Sequence, residues 1–303
     1  MNSVQYLPYR IQDVVSYINW IYFFHAWGFE PRFATIADIH DCEVYRTSWI
    51  AAFLEIDRPK ATEAVHLYKE ACRMLQEWGK EFKVQTLFKL CRANADGDNL
   101  LLDDVVLPLL RQQTKKQGDD QPYLCLSDFV RPLSSGIKDT VGVFASTVNT
   151  EIEQFYENDP HKQLLAQTLA DRLAEASTEK MHEYVRKTAW GYAKDENLPI
   201  KELLLEKFQG IRPAIGYPSI PDQSINFILN DILDMSRIGI TLTENGAMNP
   251  HASVCGLMMA HPSARYFSVG TIDEIQLSDY AMRRGKTVEE IRKFLNINSS
   301  LGR

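Results

Sequence analysis

Residues 210–224 read "GIRPAIGYPSIPDQS", with three prolines, Pro213, Pro218 and Pro221, in one short run. Proline fixes φ and donates no backbone hydrogen bond, so neither a helix interior nor a central strand runs here. Ile211, Ile215, Tyr217 and Ile220 are too apolar for a free linker. The stretch reads as an ordered, stiff loop that holds one arginine, Arg212, and one tyrosine, Tyr217, in place.

Helices flank it. Upstream, Asp159 has the chemistry of an N-cap and Pro160 of a first helical residue. Leu165, Leu169, Leu173, Met181, Tyr184 and Val185 then mark one apolar face to about residue 188. Downstream, a helix is expected over 224–236, ending near Gly239. Further out, Ala64, Leu67, Tyr68, Ala71 and Leu75 predict a helix over 59–83. "VQTLFKLCRA" and "TVGVFAS" read as strands, and "NADGDNLLL" as a hairpin turn with its return strand. "DDQPYLCLSDFVRP" reads as a strand running into a loop. "ASVCGLMMAH" and "RYFSVGTI" read as two strands joined by "PSA". Two short helices close the chain, one from Asp273 to Gly285 and one opened by a capping box, Thr287 with Glu290. Hairpins with interspersed helices, without regular β-α-β alternation, predict an α+β fold on an antiparallel sheet.

The chain has 303 residues, 45% hydrophobic and 24% charged, with a net charge of -7. A chain this long buries about 75% of its unfolded surface, enough for a core without staples. The acidic balance argues against nucleic acid, which needs clustered Lys and Arg. The apolar runs are too short for a membrane span. Cys42, Cys72, Cys91, Cys125 and Cys255 share no metal-ligand spacing and read as free thiols. "MNSVQYLPYR" lacks the apolar core of a signal peptide, so a cytoplasmic location is expected.

Three constellations invite chemistry. Asn94, Asp96 and Asp98 have calcium-loop spacing, but Asn99 stands where the loop glycine belongs, which favours a plain turn. Asp38 and His40 match part of a base-off cobalamin motif, yet Glu43 replaces its glycine. Asp171, Glu175 and Glu179 lie four apart on the long helix, where like charges repel by about 0.2–0.5 kcal/mol per pair. A solvated face is the simpler reading, and a helix lining a cleft is the alternative. No serine or cysteine nucleophile stands beside a histidine, and no HExxH spacing occurs. Any reactive group therefore comes from elsewhere.

"RPAIGYPSIPD" resembles the Arg-x-x-x-Gly-Tyr-Pro-Ala-Cys-Pro-Asp/Glu-His signature of the activation (reactivation) domain of cobalamin-dependent methionine synthase. "LADRLAEA", "MHEYVRKTAWGYAKDENL", "LRQQT", "CLSDFVRP", "ITLTENGAM", "ASVCGLMMAHPSARYFSVG" and "LSDYAMRRGKTVEEI" resemble other parts of that domain in the same order. With "YINWIYFFHAWGF" the resemblance runs from about Tyr17 to Leu295. It implies a twisted antiparallel sheet with flanking helices in one curved, cleft-bearing domain. Terminal extensions are expected at 1–16 and 297–303.

The resemblance also implies S-adenosylmethionine as ligand. Arg212 is then expected to grip its carboxylate, Ala214 and Gly216 to offer backbone contacts, and Tyr217 to stand beside them. Glu175 corresponds to a glutamate that meets the amino group or sulfonium, and Tyr266 and Phe267 to an aromatic pair near the adenosine. Asn19 stands where the family carries aspartate, Gln223 where it carries histidine, and Ser219-Ile220 where it carries Ala-Cys. Asp171 corresponds to an acidic residue facing the cobalamin domain. Cobalamin is expected only through a partner, either methionine synthase or another corrinoid protein, with a flavodoxin-like reductant acting indirectly. Without homocysteine, folate and cobalamin domains, action in trans is expected. A non-catalytic S-adenosylmethionine-binding or regulatory module is the alternative.

Overall fold

The structure, a computed structural model, describes residues 3–39, 42–113, 122–149, 151–156 and 158–295. The strands are β1 (Gln5–Arg10), β2 (Lys83–Asp96), β3 (Asn99–Leu102), β4 (Val105–Pro108), β5 (Asp139–Val148), β6 (Thr241–Leu242), β7 (Met248–Asn249) and β8 (Ser253–Met258). The helices are α1 (Ile11–Val14), α2 (Trp20–Ala26), α3 (Glu43–Ala51), α4 (Arg58–Trp78), α5 (Glu151–Gln154), α6 (Pro160–Tyr184), α7 (Ile200–Leu203), α8 (Ile225–Leu233), α9 (Glu274–Arg284) and α10 (Val288–Phe294).

The 14-residue strand β2 organises the main sheet. One edge pairs with β1 at Lys83–Phe88 and with β3 at Ala93–Asp96, while the other pairs with β5. β4 extends the β3 side and β8 the β5 side, and every pairing is antiparallel. Side chains alternate between faces along a strand, and here both faces are buried. Val84, Phe88, Phe144, Val148, Val254 and Met258 join a core with α1, α2, α4 and α6. Leu87, Cys91, Val141, Val143, Cys255 and Leu257 join a second core under α8. This is the α+β arrangement the hairpin pattern predicts, in a single domain.

The long helix begins as its sequence dictates. The Asp159 side chain accepts from the Lys162 N–H at 3.2 Å, and Pro160 is the first helical residue. The capping box of Thr287 and Glu290 is present at α10, and Gly285 ends α9 in the left-handed region. Gly97 and Asp98 form the hairpin turn between β2 and β3, with Gly97 at φ 57°. Among the described residues no cluster of three metal-ligating side chains occurs, and no helix is long and apolar enough to cross a membrane.

Four expectations need correction. Residues 5–16 are no extension: β1 is hydrogen-bonded along β2, and Ile11 and Val14 are wholly buried. The extension at 297–303 lies outside the described residues, as does His40. The segment read as a strand at 119–132 has no strand among its described residues. It turns through a short 3-10 helix, Leu126–Phe129, because the Asp128 carboxylate takes the Cys125 N–H at 2.8 Å and grips Arg111. "RYFSVGTI" is also not a strand. The edge of β8 that it would need is already occupied by the proline-rich loop, which bridges Ile211 to Met259 and Ala214 to Gly256. The helix expected to 83 stops at Trp78, so that Lys83 can start β2.

Candidate functional site

The loop at 210–222 is stiff because both its ends are bolted down. Ile211 and Met259 exchange two backbone hydrogen bonds of 2.9 Å, Leu257 donates to Pro213 at 3.0 Å, and Ile215 donates to Cys255 at 2.9 Å. The approach is so close that only a glycine fits beneath it. A Cβ on Gly256 would lie 2.2 Å from the Pro213 carbonyl oxygen. The chain then reverses at Gly216 (φ 85°), whose N–H reaches the Ile220 carbonyl at 2.8 Å. At the far end Asp222 is fully buried. Its carboxylate accepts from the Ser224 N–H at 2.8 Å and from the Tyr280 hydroxyl of α9 at 2.7 Å.

This loop, the inner face of α6, the 17–22 stretch, residues 204–206 and the 266–268 segment enclose a cavity of about 670 Å³. That is the size of a small-molecule site. Asn19, Glu175, Arg212, Ala214, Tyr217, Tyr266 and Phe267 all line it. Gly216 does not; it supplies the left-handed turn that presents Tyr217. Asp171 lies outside the cavity, in an adjoining recess of about 180 Å³, with its carboxylate 3.3 Å from His251 Nδ1.

Arg212 is the centre of the charge arrangement. Its side chain is 12% exposed, and Nη1 lies 3.1 Å from Glu179 Oε2 and 3.4 Å from His182 Nδ1. Its backbone N–H donates to the Tyr266 hydroxyl at 2.9 Å, which fixes that ring beside the guanidinium. Burial disfavours the charged guanidinium, but Glu179, Tyr266 and Glu175 outweigh it and raise the Arg212 pKa. Across the cleft the Tyr217 hydroxyl donates to Glu175 Oε1 at 2.8 Å. Burial, then Glu175, raises the Tyr217 pKa, so the phenol stays protonated as that donor. Phe267 is held by Ser219, whose hydroxyl donates to the Phe267 carbonyl and accepts its N–H at 3.3 Å. Asn19 caps α2, its side-chain oxygen accepting the Ile21 N–H at 3.1 Å.

Sequence reasoning missed Glu179, Arg172, Glu206 and Tyr17 as lining residues. Glu179 did carry a signal, since it lies one helical turn beyond Glu175. The solvated-face reading of Asp171, Glu175 and Glu179 does not hold: Glu179 is buried and Glu175 half-buried in the cleft. Glu206 had no signal. It sits at φ 57° after α7, where burial raises its carboxyl pKa and Arg212 only partly offsets that.

His182 gives a pH signature. It is fully buried, and burial, Arg186 and Arg212 together hold its pKa well below the usual value. In the unfolded chain it titrates near 6.5. Its contribution to stability is therefore complete above about pH 6.5 and is lost as the pH falls, because only the unfolded state takes up the proton. Urea unfolding at about pH 7.5 and 5.5 should show a larger loss of stability for the parent protein than for His182→Gln. Equal losses contradict a buried neutral imidazole.

The chain is thus a single α+β domain whose sheet edge carries a stiff, arginine-bearing loop over an acidic cleft. The family model for "Vitamin B12 dependent methionine synthase, activation domain" matches residues 10–285. A crystal structure of the MetH reactivation domain bound to AdoHcy is similar, with a TM-score of 0.85 and 35% identity over 98% of this chain and 90% of that one. This chain belongs to the vitamin B12-dependent methionine synthase activation-domain family.

Proposed function

We propose that the cleft binds S-adenosylmethionine and presents its methyl group to a cobalamin carried by another domain or protein, supporting reductive remethylation of that cofactor. The observation that carries this reading is the state of Arg212. Its Nη1 is engaged by Glu179 and His182 of α6, while Nε and Nη2 make no hydrogen bond among the described residues. A guanidinium with that edge open suits a bidentate carboxylate.

The remaining lining fits the rest of the ligand. Three carboxylates (Glu175, Glu179, Glu206) face two guanidiniums (Arg172, Arg212). S-adenosylmethionine carries one carboxylate against an ammonium and a sulfonium, so the charges are complementary. Tyr17, Tyr22, Tyr217, Tyr266 and Phe267 offer ring faces to the sulfonium and the adenine. Glu175 would meet the ammonium by displacing the Tyr217 hydroxyl. The family relationship and the AdoHcy-bound neighbour support the same ligand.

Reduced cobalt on the partner would supply the nucleophile, and S-adenosylhomocysteine would leave as a neutral thioether, so this chain would need no general base. Its work is to orient the sulfonium, exclude water and complement charge. Asp171, at the rim beside Glu175, would face the cobalamin-bearing partner. A flavodoxin-like protein would deliver the electron to that partner. The cytoplasm is the setting that fits these partners and the free thiols.

Calorimetry with S-adenosylmethionine tests the ligand. The partner is tested by mixing this protein with cob(II)alamin-loaded methionine synthase lacking its own activation domain, reduced flavodoxin and S-adenosylmethionine. Recovery of the methylcobalamin spectrum supports action in trans. Ligand binding without recovery rejects this partner, and no ligand binding rejects the whole reading.

Asn19 offers a gain-of-affinity test. Aspartate caps a helix as well as asparagine does, so Asn19→Asp keeps α2 in place and adds a negative charge to a cleft proposed to hold a cation. Tighter binding of S-adenosylmethionine is expected, by about 1 kcal/mol for a partly exposed charge near its target. Unchanged or weaker binding in calorimetry would place the cationic end of the ligand away from Asn19.

A further inference from the structure

Two buried arginine–glutamate pairs meet near α6, and they are built differently. Arg186 spends its fork on its partner: Nε donates to Glu196 Oε2 at 3.0 Å and Nη2 to Oε1 at 2.7 Å. Arg212 comes nearest to Glu179 through Nη1, 3.1 Å from Oε2, and makes no forked pair of hydrogen bonds with it. Glu179 is equally sequestered, with a side chain 7% exposed, yet its Oε1 has no hydrogen-bond partner among the described residues. Other buried carboxylates here fill both oxygens, as Asp222 does with Ser224 and Tyr280. A pair serving stability alone gains most from the bidentate form, because both oxygens and the whole fork are satisfied.

We propose that Glu179 is a positioning residue that sets the rotation of the Arg212 guanidinium, so that its Nε–Nη2 edge faces the carboxylate of an amino-acid ligand. This rests on the reading of the cleft as an S-adenosylmethionine site. Glu179 pulls on one corner of the guanidinium, and the neutral His182 accepts at the same nitrogen at 3.4 Å. The Tyr266 hydroxyl fixes the Arg212 backbone at 2.9 Å. With one corner and the main chain held, the plane cannot turn its fork toward α6. Glu179 thus selects for ligands with a carboxylate without touching that carboxylate.

The inference has a sign that distinguishes it from a charge effect. Were Glu179 merely a negative charge near an anionic ligand group, removing the charge would strengthen carboxylate binding. Loss of positioning weakens it. The experiment measures Kd by calorimetry for two ligands, S-adenosylmethionine and its decarboxylated analogue, which lacks only the carboxylate. The protein is the full chain and its Glu179→Gln variant.

The expected result is a loss of about tenfold for S-adenosylmethionine, the size of one charge-assisted hydrogen bond, and none for the decarboxylated analogue. An equal loss for both ligands means a structural role and overturns the inference. A gain for S-adenosylmethionine, or no change, overturns it as well. If Glu179→Gln does not fold, His182→Gln, which disturbs the other contact at Nη1, is measured with the same ligand pair and must show the same carboxylate-specific loss, smaller in size. Parent protein that binds neither ligand overturns the site reading along with this one. Parent protein that binds both, with the variant losing them equally, overturns this one alone.

Discussion

Arg212→Ala should weaken S-adenosylmethionine binding by about 1.5–3 kcal/mol, the range for a hydrogen bond to a charged group. That is roughly ten- to a hundredfold in Kd. The fold should suffer as well, for a separate reason. Glu179 Oε2 has Arg212 as its ion-pair partner at 3.1 Å, and its Oε1 has no hydrogen-bond partner among the described residues. Removing the arginine strands a buried carboxylate, which costs about 3–5 kcal/mol before protonation or water relieves it. The two effects separate in the double variant. Arg212→Ala with Glu179→Gln should recover much of the stability, since the stranded charge is gone. It should recover none of the affinity, since the fork that meets the ligand is still missing. Urea unfolding and calorimetry read the two quantities independently. Binding by Arg212→Ala as tight as the parent's would show that the carboxylate, if bound at all, is bound elsewhere.

The sequence announced the parts of this site that depend on local chemistry. Prolines mark a stiff loop wherever they fall, because the constraint is in the residue itself. Capping signals at Asp159 and Thr287 are short-range hydrogen-bond patterns, and both caps are present. The segments of β2, β5 and β8 read as strands from their apolar runs, and those runs are near-continuous because both sheet faces are buried. What stayed hidden depends on which segment reaches an edge first. "RYFSVGTI" has the residues of a strand, but the loop at 211–215 takes the edge of β8, leaving Tyr266 and Phe267 to serve as cavity wall. The stretch before residue 17 has no strong alternation, yet β1 pairs along β2 residue by residue. Glu179 was visible as a residue and not as a role. A run of acids at four-residue spacing looks solvated until a cation from a distant loop is placed against it, and that contact spans 33 positions between Glu179 and Arg212.

Gly256→Ala should damage the site from beneath without touching any ligand. The added methyl would meet the Pro213 carbonyl oxygen at 2.2 Å, the Ala214 Cα at 2.8 Å and the Phe144 ring at 3.0 Å. Two of these are backbone atoms, which cannot swing aside as a side chain can. The loop must lift, and the bonds from Leu257 to Pro213 (3.0 Å) and from Ile215 to Cys255 (2.9 Å) stretch with it. Overpacking of this kind costs about 1–3 kcal/mol, and two weakened backbone bonds add about 0.5–1.5 kcal/mol each. Arg212 and Tyr217 ride on that loop, and a displacement of one ångström is enough to spoil a positioned contact. Stability and affinity should therefore fall together. Gly136→Ala is the control. It strains a left-handed glycine at φ 67° with open space around it, on a turn outside the cavity lining. It should cost about 1 kcal/mol of stability and leave binding alone. If Gly256→Ala loses stability but binds S-adenosylmethionine as the parent does, the packing of the loop on β8 is not what places Arg212. The ion pair with α6 must then suffice by itself.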